Sequence, residues 1–195
     1  MPPLEESLII VSGLPRSGTS MVMQMLAAGG IPVLTDGRRQ ADPDNPHGYL
    51  EYEPVKNILR DPGFLREGAG KAVKIVAPLL GALPPDMPCR VILMERDLDE
   101  VLDSQQRMIA RRGATTSASA PEGRALLRND YVRTLTRMKS MLAGRPLTAL
   151  LVIDHAFAIA HPADAAAKVN DFRGTSMDIA RMAAAVDPAL YRTRR

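Results

Sequence analysis

The chain has no tryptophan, and its four tyrosines and three phenylalanines make up only 4% of 195 residues. Single-stranded nucleic acid is usually held by aromatic rings interleaved with basic residues, a pattern missing here, so nucleic acid is not an expected partner. Core volume must come from Leu, Ile, Val, Ala and 11 methionines, whose flexible side chains fill irregular gaps. A single cysteine, Cys89, excludes an internal disulfide and fits a reducing compartment. It precedes a strand and has no neighbouring histidine, so it reads as a structural thiol. No apolar run approaches the ~20 residues of a membrane-spanning helix. The opening MPPLEESLII places acidic residues before a short apolar run, which is not a signal peptide. Together these point to a cytoplasmic protein. The formal net charge is +3 and the sequence pI about 9.2, a mild excess that suits a small polyanion better than a nucleic acid. His47, His155 and His161 are scattered, and no cluster has metal-ligand spacing, so no metal is expected.

What is present alternates strand and helix. Leu8–Val11 is a continuous β-branched run, followed by a glycine turn and a helix over Ser17–Ala28 that Gly29-Gly30 closes. Lys71–Val76, Arg90–Glu95 and Leu147–Ile153 read as further strands. Helices are expected from Asp97 to about Arg112, over Glu122–Ala143, Pro162–Phe172 and Met177–Ala185, with a short one at Val55–Arg60. Asp97 looks like an N-cap with Glu100 as capping-box partner. Two segments resist this pattern. Ile31–Pro54 is polar and rich in Asp, Pro and Gly, and a loop that long is usually functional. Gly113–Pro121 is small and polar and reads as a mobile loop. The length suits one domain over 1–195. The expected architecture is an α/β three-layer sandwich: a central parallel sheet of four to five strands with helices on both faces.

The strongest motif is Gly13-Leu14-Pro15-Arg16-Ser17-Gly18-Thr19-Ser20, set between a buried strand and a helix. Unpaired backbone N–H groups at a helix start, with the positive end of the helix dipole, bind an oxyanion. Gly13 and Gly18 permit the tight turn and a close phosphate. Thr19 and Ser20 add hydroxyl donors, and Arg16 a charged fork. A Walker A loop needs lysine directly after its second glycine, where Thr19 stands here.

PRSGTS after an apolar strand resembles the 5′-phosphosulfate loop of the sulfotransferases, P-[KR]-S-G-T. VILMERDLDEVLDS resembles the same family's 3′-phosphate segment, in which a strand ends in Arg and the next helix bears Ser; here these are Arg96 and Ser104. KIVAP, Lys74 to Pro78, is similar to the Lys-Thr-His-Leu-Pro of cytosolic members, but Val76 occupies the histidine position and cannot take a proton. The chain is closer to short bacterial sulfotransferase-like proteins, whose ending DPALYRTRR also resembles, and to Golgi-type enzymes that place a Glu after the first helix. The resemblance runs from about Leu8 to Phe172. The Arg-Lys-Gly loop of cytosolic members is missing. Only Arg173-Gly174 hints at it, with Arg192, Arg194 and Arg195 as substitutes in a tail that reads as frayed.

The resemblance implies a sulfotransferase that uses 3′-phosphoadenosine 5′-phosphosulfate and releases adenosine 3′,5′-bisphosphate. Pro15, Arg16, Ser17, Gly18, Thr19, Ser20, Arg96 and Ser104 would hold the donor. In-line transfer needs positioning and charge stabilisation, for which Arg16 and Lys74 are the candidates. The base for a hydroxyl or amine acceptor, whether small molecule, glycan or peptide, falls to Glu51, then Glu53. Two other readings stay open. One is an atypical nucleotide kinase or ATPase, with Asp154 at the end of LLVID on Mg²⁺. The other is a non-catalytic nucleotide-binding relative.

Overall fold

The structure, a computed structural model, describes residues 7–111, 113–114, 120–174 and 176–192. Four parallel strands form one sheet: β1 (Leu8–Gly13), β2 (Ala72–Lys74), β3 (Cys89–Glu95) and β4 (Thr148–Asp154), in the order β2-β1-β3-β4. The helices are α1 (Thr19–Ala28), α2 (Leu98–Arg111), α3 (Pro121–Ala143), α4 (His155–Ala160), α5 (Pro162–Arg173) and α6 (Ile179–Ala184). The α/β sandwich expected from the alternation is therefore present, with four strands among the described residues.

Strand periodicity explains the layers, because successive side chains leave opposite faces of a sheet. Ile9 and Val11 point into one core with Val22, Met23, Leu26, Ala165, Val169 and Met182, which carries α1, α5 and α6. Leu8 and Ile10 point into the other with Val73, Val91, Met138 and Leu142, where α3 and short 3-10 turns lie. Both faces are covered over β1, β2 and β3, which read as unbroken apolar runs, whereas the edge strand β4 is only partly buried and leaves Val152 exposed. Met23 and Met25 are buried, in keeping with their role as filler. Cys89 is buried beside the Thr148 hydroxyl at 3.3 Å, and burial pushes its thiol up from the usual value, consistent with a structural thiol. No helix among the described residues is long and apolar enough to cross a membrane.

Boundaries moved where local chemistry overrode the pattern. Strand β2 covers only Ala72–Lys74 of the expected Lys71–Val76, because Pro78 starts a 3-10 turn over Ala77–Ala82. The expected helix at Val55–Arg60 is a 3-10 turn at Glu53–Asn57. Helix α4 was not expected at all. Asp154 caps it by accepting from Phe157 N–H at 2.7 Å, and that capping supplies the break the apolar run concealed. Most of Gly113–Pro121, and Arg194 and Arg195, lie outside the described residues.

The strand order places a reversal at β1. The chain steps from β1 to β2 on one side, then returns to β3 on the other. In open parallel sheets the crevice beyond the carboxyl ends at such a point is the usual ligand site. Gly13 pairs in register with Met94, so the turn after β1 and the segment after β3 emerge side by side.

Candidate active site

The turn after β1 is shaped for an anion. Gly13 (φ 156°) could not carry a side chain: a Cβ would lie 2.3 Å from Ser17 Oγ and 2.7 Å from the Met94 carbonyl oxygen. Gly18 (φ 100°) adopts a left-handed conformation ahead of α1 and supplies no side-chain cap. The first helical bond is Met21 N–H to Gly18 O at 3.0 Å. The N–H groups of Gly18, Thr19 and Ser20 thus have no acceptor among the described residues. The Ser17 hydroxyl is buried with no hydrogen-bond partner among the described residues. Orphaned donors converging at a helix start are the chemistry of an oxyanion cradle, and they fit a phosphosulfate group.

A second basic notch adjoins the turn. The Arg96 guanidinium, at the end of β3, donates to the Arg16 carbonyl oxygen at 3.1 Å. Its side chain is buried and ion-paired with Glu100 at 2.9 Å. Glu100 also accepts from Tyr191 Oη at 2.8 Å, and Arg96 lies over the Tyr191 ring at 5.3 Å. Arg16 (φ 75°) turns its side chain across the notch, where Nε donates to Ser104 Oγ at 3.0 Å. Arg16, Arg96, Ser104, Arg107, Arg111 and Arg192 line a cavity of about 50 Å³. Arg107 and Arg111 follow Ser104 at helical spacing on one face of α2, a signal readable from the sequence once Ser104 was singled out. Arg192, expected to be frayed, is tied in by a bond to the Pro43 carbonyl oxygen at 2.8 Å. Arg111 pairs with Asp44, so this carboxylate sits among the arginines.

On the other side of the turn stands a carboxylate between two cations. Lys74 Nζ lies 3.2 Å from Glu51 Oε1, 3.3 Å from Ser20 Oγ, and bonds the Tyr49 carbonyl oxygen. Arg39 reaches the same Glu51 oxygen at 2.7 Å and lies 3.4 Å above the Tyr49 ring. Tyr49 Oη donates to Asp42 at 2.8 Å. Lys74 is level with this group because β2 pairs it with Val11. Burial disfavours the charged form of Glu51, but Lys74 and Arg39 outweigh it and hold the carboxyl below its ordinary value. Lys74 lies below its own ordinary value, since burial exceeds the attraction of Glu51.

A cavity of about 310 Å³ is lined by Pro15, Arg16, Gly18, Thr19, Ser20, Arg39, Glu51, Lys74 and Arg96, among others; Ser17, buried with its hydroxyl towards Gly13, is not among its lining residues. Glu53 is not among its lining residues; it pairs with Lys56 at 2.8 Å. Ser104 lines only the notch beyond Arg16. His47 pairs with Asp187 at 3.2 Å. Asp154 is occupied as the cap of α4. His155 lines the cavity wall, although its position in the sequence suggested no role. Its imidazole is brought down to about 4 by burial first and by the charge of Arg96 second.

No family model and no curated protein matches the chain. Solved structures do. The sulfotransferase domain of the curacin biosynthetic pathway aligns at a TM-score of 0.57 and 14% identity, over 97% of this chain and 92% of that one. The sulfotransferase domain of the Synechococcus PCC 7002 olefin synthase aligns at 0.58 and 16%, over 97% and 88%. Sulfotransferase STF1 from Mycobacterium tuberculosis aligns at 0.57 and 16%, over 91% and 70%. The chain has a sulfotransferase-like fold, as the PRSGTS loop and its setting imply.

Proposed function

We propose that this chain is a sulfotransferase that takes a sulfuryl group from 3′-phosphoadenosine 5′-phosphosulfate and passes it to a hydroxyl or amine of a small acceptor. The observation that supports the reading is the adjacency of the glycine turn and a cluster of arginines, in two neighbouring cavities that share Arg16 and Arg96. The glycine turn fits the 5′-phosphosulfate and the arginine notch fits the 3′-phosphate, with Arg16 spanning both. Pro15 to Ser20 with Arg96 and Ser104 form the donor site, within one domain.

The donor supplies an activated sulfuryl group whose S–O bond to phosphate breaks as a new S–O or S–N bond forms. The N–H groups of Gly18, Thr19 and Ser20 would receive the charge that grows on the departing phosphate. Lys74 steadies the equatorial oxygens, and Arg16 anchors the turn against the notch. Glu51 accepts the proton that the acceptor loses on attack. Lys74, 3.2 Å from Glu51 Oε1 and 3.3 Å from Ser20 Oγ, stands between the base and the turn that would seat the sulfuryl donor.

Thermal shift tests the donor class. Adenosine 3′,5′-bisphosphate should raise the melting temperature more than ATP–Mg²⁺ at equal concentration, since ligands that bind only the folded state stabilise it by mass action. Equal or greater stabilisation by ATP–Mg²⁺ would favour a kinase or ATPase instead.

A further inference from the structure

We propose that His155 is a neutral Nε2–H hydrogen-bond donor to the oxyanion seated in the glycine turn. This rests on reading that turn as the seat of the 5′-phosphosulfate.

His155 is the first residue after β4, only 6% exposed, and it lines the main cavity. Its Cδ2–Nε2 edge lies against the turn. A Cβ on Gly18 would sit 2.5 Å from His155 Cδ2 and 3.3 Å from Nε2. Its ring meets that of Tyr191 edge to face at 5.0 Å. Nδ1 is buried and has no hydrogen-bond partner among the described residues.

The tautomer follows from that burial. A neutral imidazole carries one N–H and one lone pair. A buried N–H with nothing to accept it is the rarer and less favourable arrangement, whereas an under-used acceptor is better tolerated. The proton therefore belongs on Nε2, beside the turn. The charged groups facing the ring are Arg96 and Asp154. Arg96 opposes a second proton, and the Asp154 carboxylate is held by the Phe157 N–H. The ring stays neutral, which leaves Glu51 as the base and gives His155 the work of gripping an anion. Gly18 is required here twice over: for its backbone conformation, and because any side chain would fill the space of this ring.

Calorimetry with adenosine 3′,5′-bisphosphate and ¹⁵N NMR of the histidine rings test the assignment. His155→Phe keeps a ring but has no donor, and should bind at least about tenfold more weakly, the loss expected for a hydrogen bond to a charged group. His155→Gln restores an N–H at the Nε2 distance and should stay within about threefold of the native protein. In the native protein the ring should be a neutral Nε2–H tautomer at pH 7, with an Nε2 resonance that moves on adding the bisphosphate. A native-like affinity in His155→Phe, an Nε2 resonance unmoved by bound bisphosphate, or an Nδ1–H tautomer would each overturn the proposal. The NMR measurements need no variant, so poor folding of His155→Phe leaves them decisive. If the native protein binds no bisphosphate at all, the sulfotransferase reading fails with it; if it binds and His155 does not respond, only this inference fails.

Discussion

Replacing Arg96 separates the two roles its guanidinium has been given. Its side chain is 8% exposed and that of its partner Glu100 5%. Arg96→Ala alone would strand a buried carboxylate, a change that costs about 3–5 kcal/mol in comparable pairs. The Tyr191 hydroxyl still donates to Glu100, which places the loss at the lower end. That instability would obscure a binding measurement, so the informative variant is Arg96→Met with Glu100→Gln, which removes both charges together. On the ligand side, a charge-assisted hydrogen bond is worth roughly 1.5–3 kcal/mol, or ~10- to 150-fold in affinity. Arg16, Arg107 and Arg111 remain in the notch, so the expected drop is about tenfold. It should fall on the 3′-phosphate alone. Calorimetry with adenosine 3′,5′-bisphosphate and with adenosine 5′-phosphate measures it: the native protein prefers the bisphosphate, and the double variant should lose about a factor of ten of that preference while binding the monophosphate unchanged. Undiminished preference would refute the assignment of Arg96 to the 3′-phosphate.

Other perturbations address the turn and the base. Gly18→Ala must accommodate a φ of 100° and a contact of 2.5 Å with His155, so it should lose about 1–3 kcal/mol in urea denaturation; native stability would mean that the ring moves freely. Glu51→Gln should lower turnover by about 10²- to 10⁴-fold and leave bisphosphate affinity intact, whereas retained turnover would place the base elsewhere. The pH profile of kcat/KM reports the free enzyme. Its acid limb should lie below the ordinary glutamate value of 4.5, because Glu51 must be ionised to accept a proton and Lys74 and Arg39 keep it so. Lys74→Met removes one of those cations and should move the limb upward; an unmoved limb would break the link between the pair.

How legible the site was from sequence depended on how local its parts are. The turn from Gly13 to Ser20 could be read because strand, glycines and helix start are contiguous, and the same residues that fold it also bind. Arg96 and Ser104 share one strand–helix junction, so spacing alone could pair them. Their coupling through Arg16 could not be read, since it depends on the β1–β3 register. Glu51 and Glu53 were inseparable by chemistry, because irregular backbone carries no periodicity to assign a face. Only the fold of the loop around Tyr49 turns Glu51 to Lys74 and leaves Glu53 with Lys56. His155 was hidden most thoroughly. Gly18, Arg96 and Tyr191 come to it from three distant segments, and the apolar run around it masks the start of α4.

The left-handed backbone of Arg16 has one more consequence. An L-residue with a side chain costs roughly 1–2 kcal/mol in that conformation, and here the carbonyl so exposed is fastened by Arg96 while the side chain is fastened by Ser104. Folding thus sets the shape of the loop in advance, and an arriving anion meets a finished mould instead of having to order a slack one. Arg16→Gly would remove the backbone tension and the side-chain bond to Ser104 together, leaving the loop held at this residue by the Arg96–carbonyl bond, a suppler receptor in place of a rigid one.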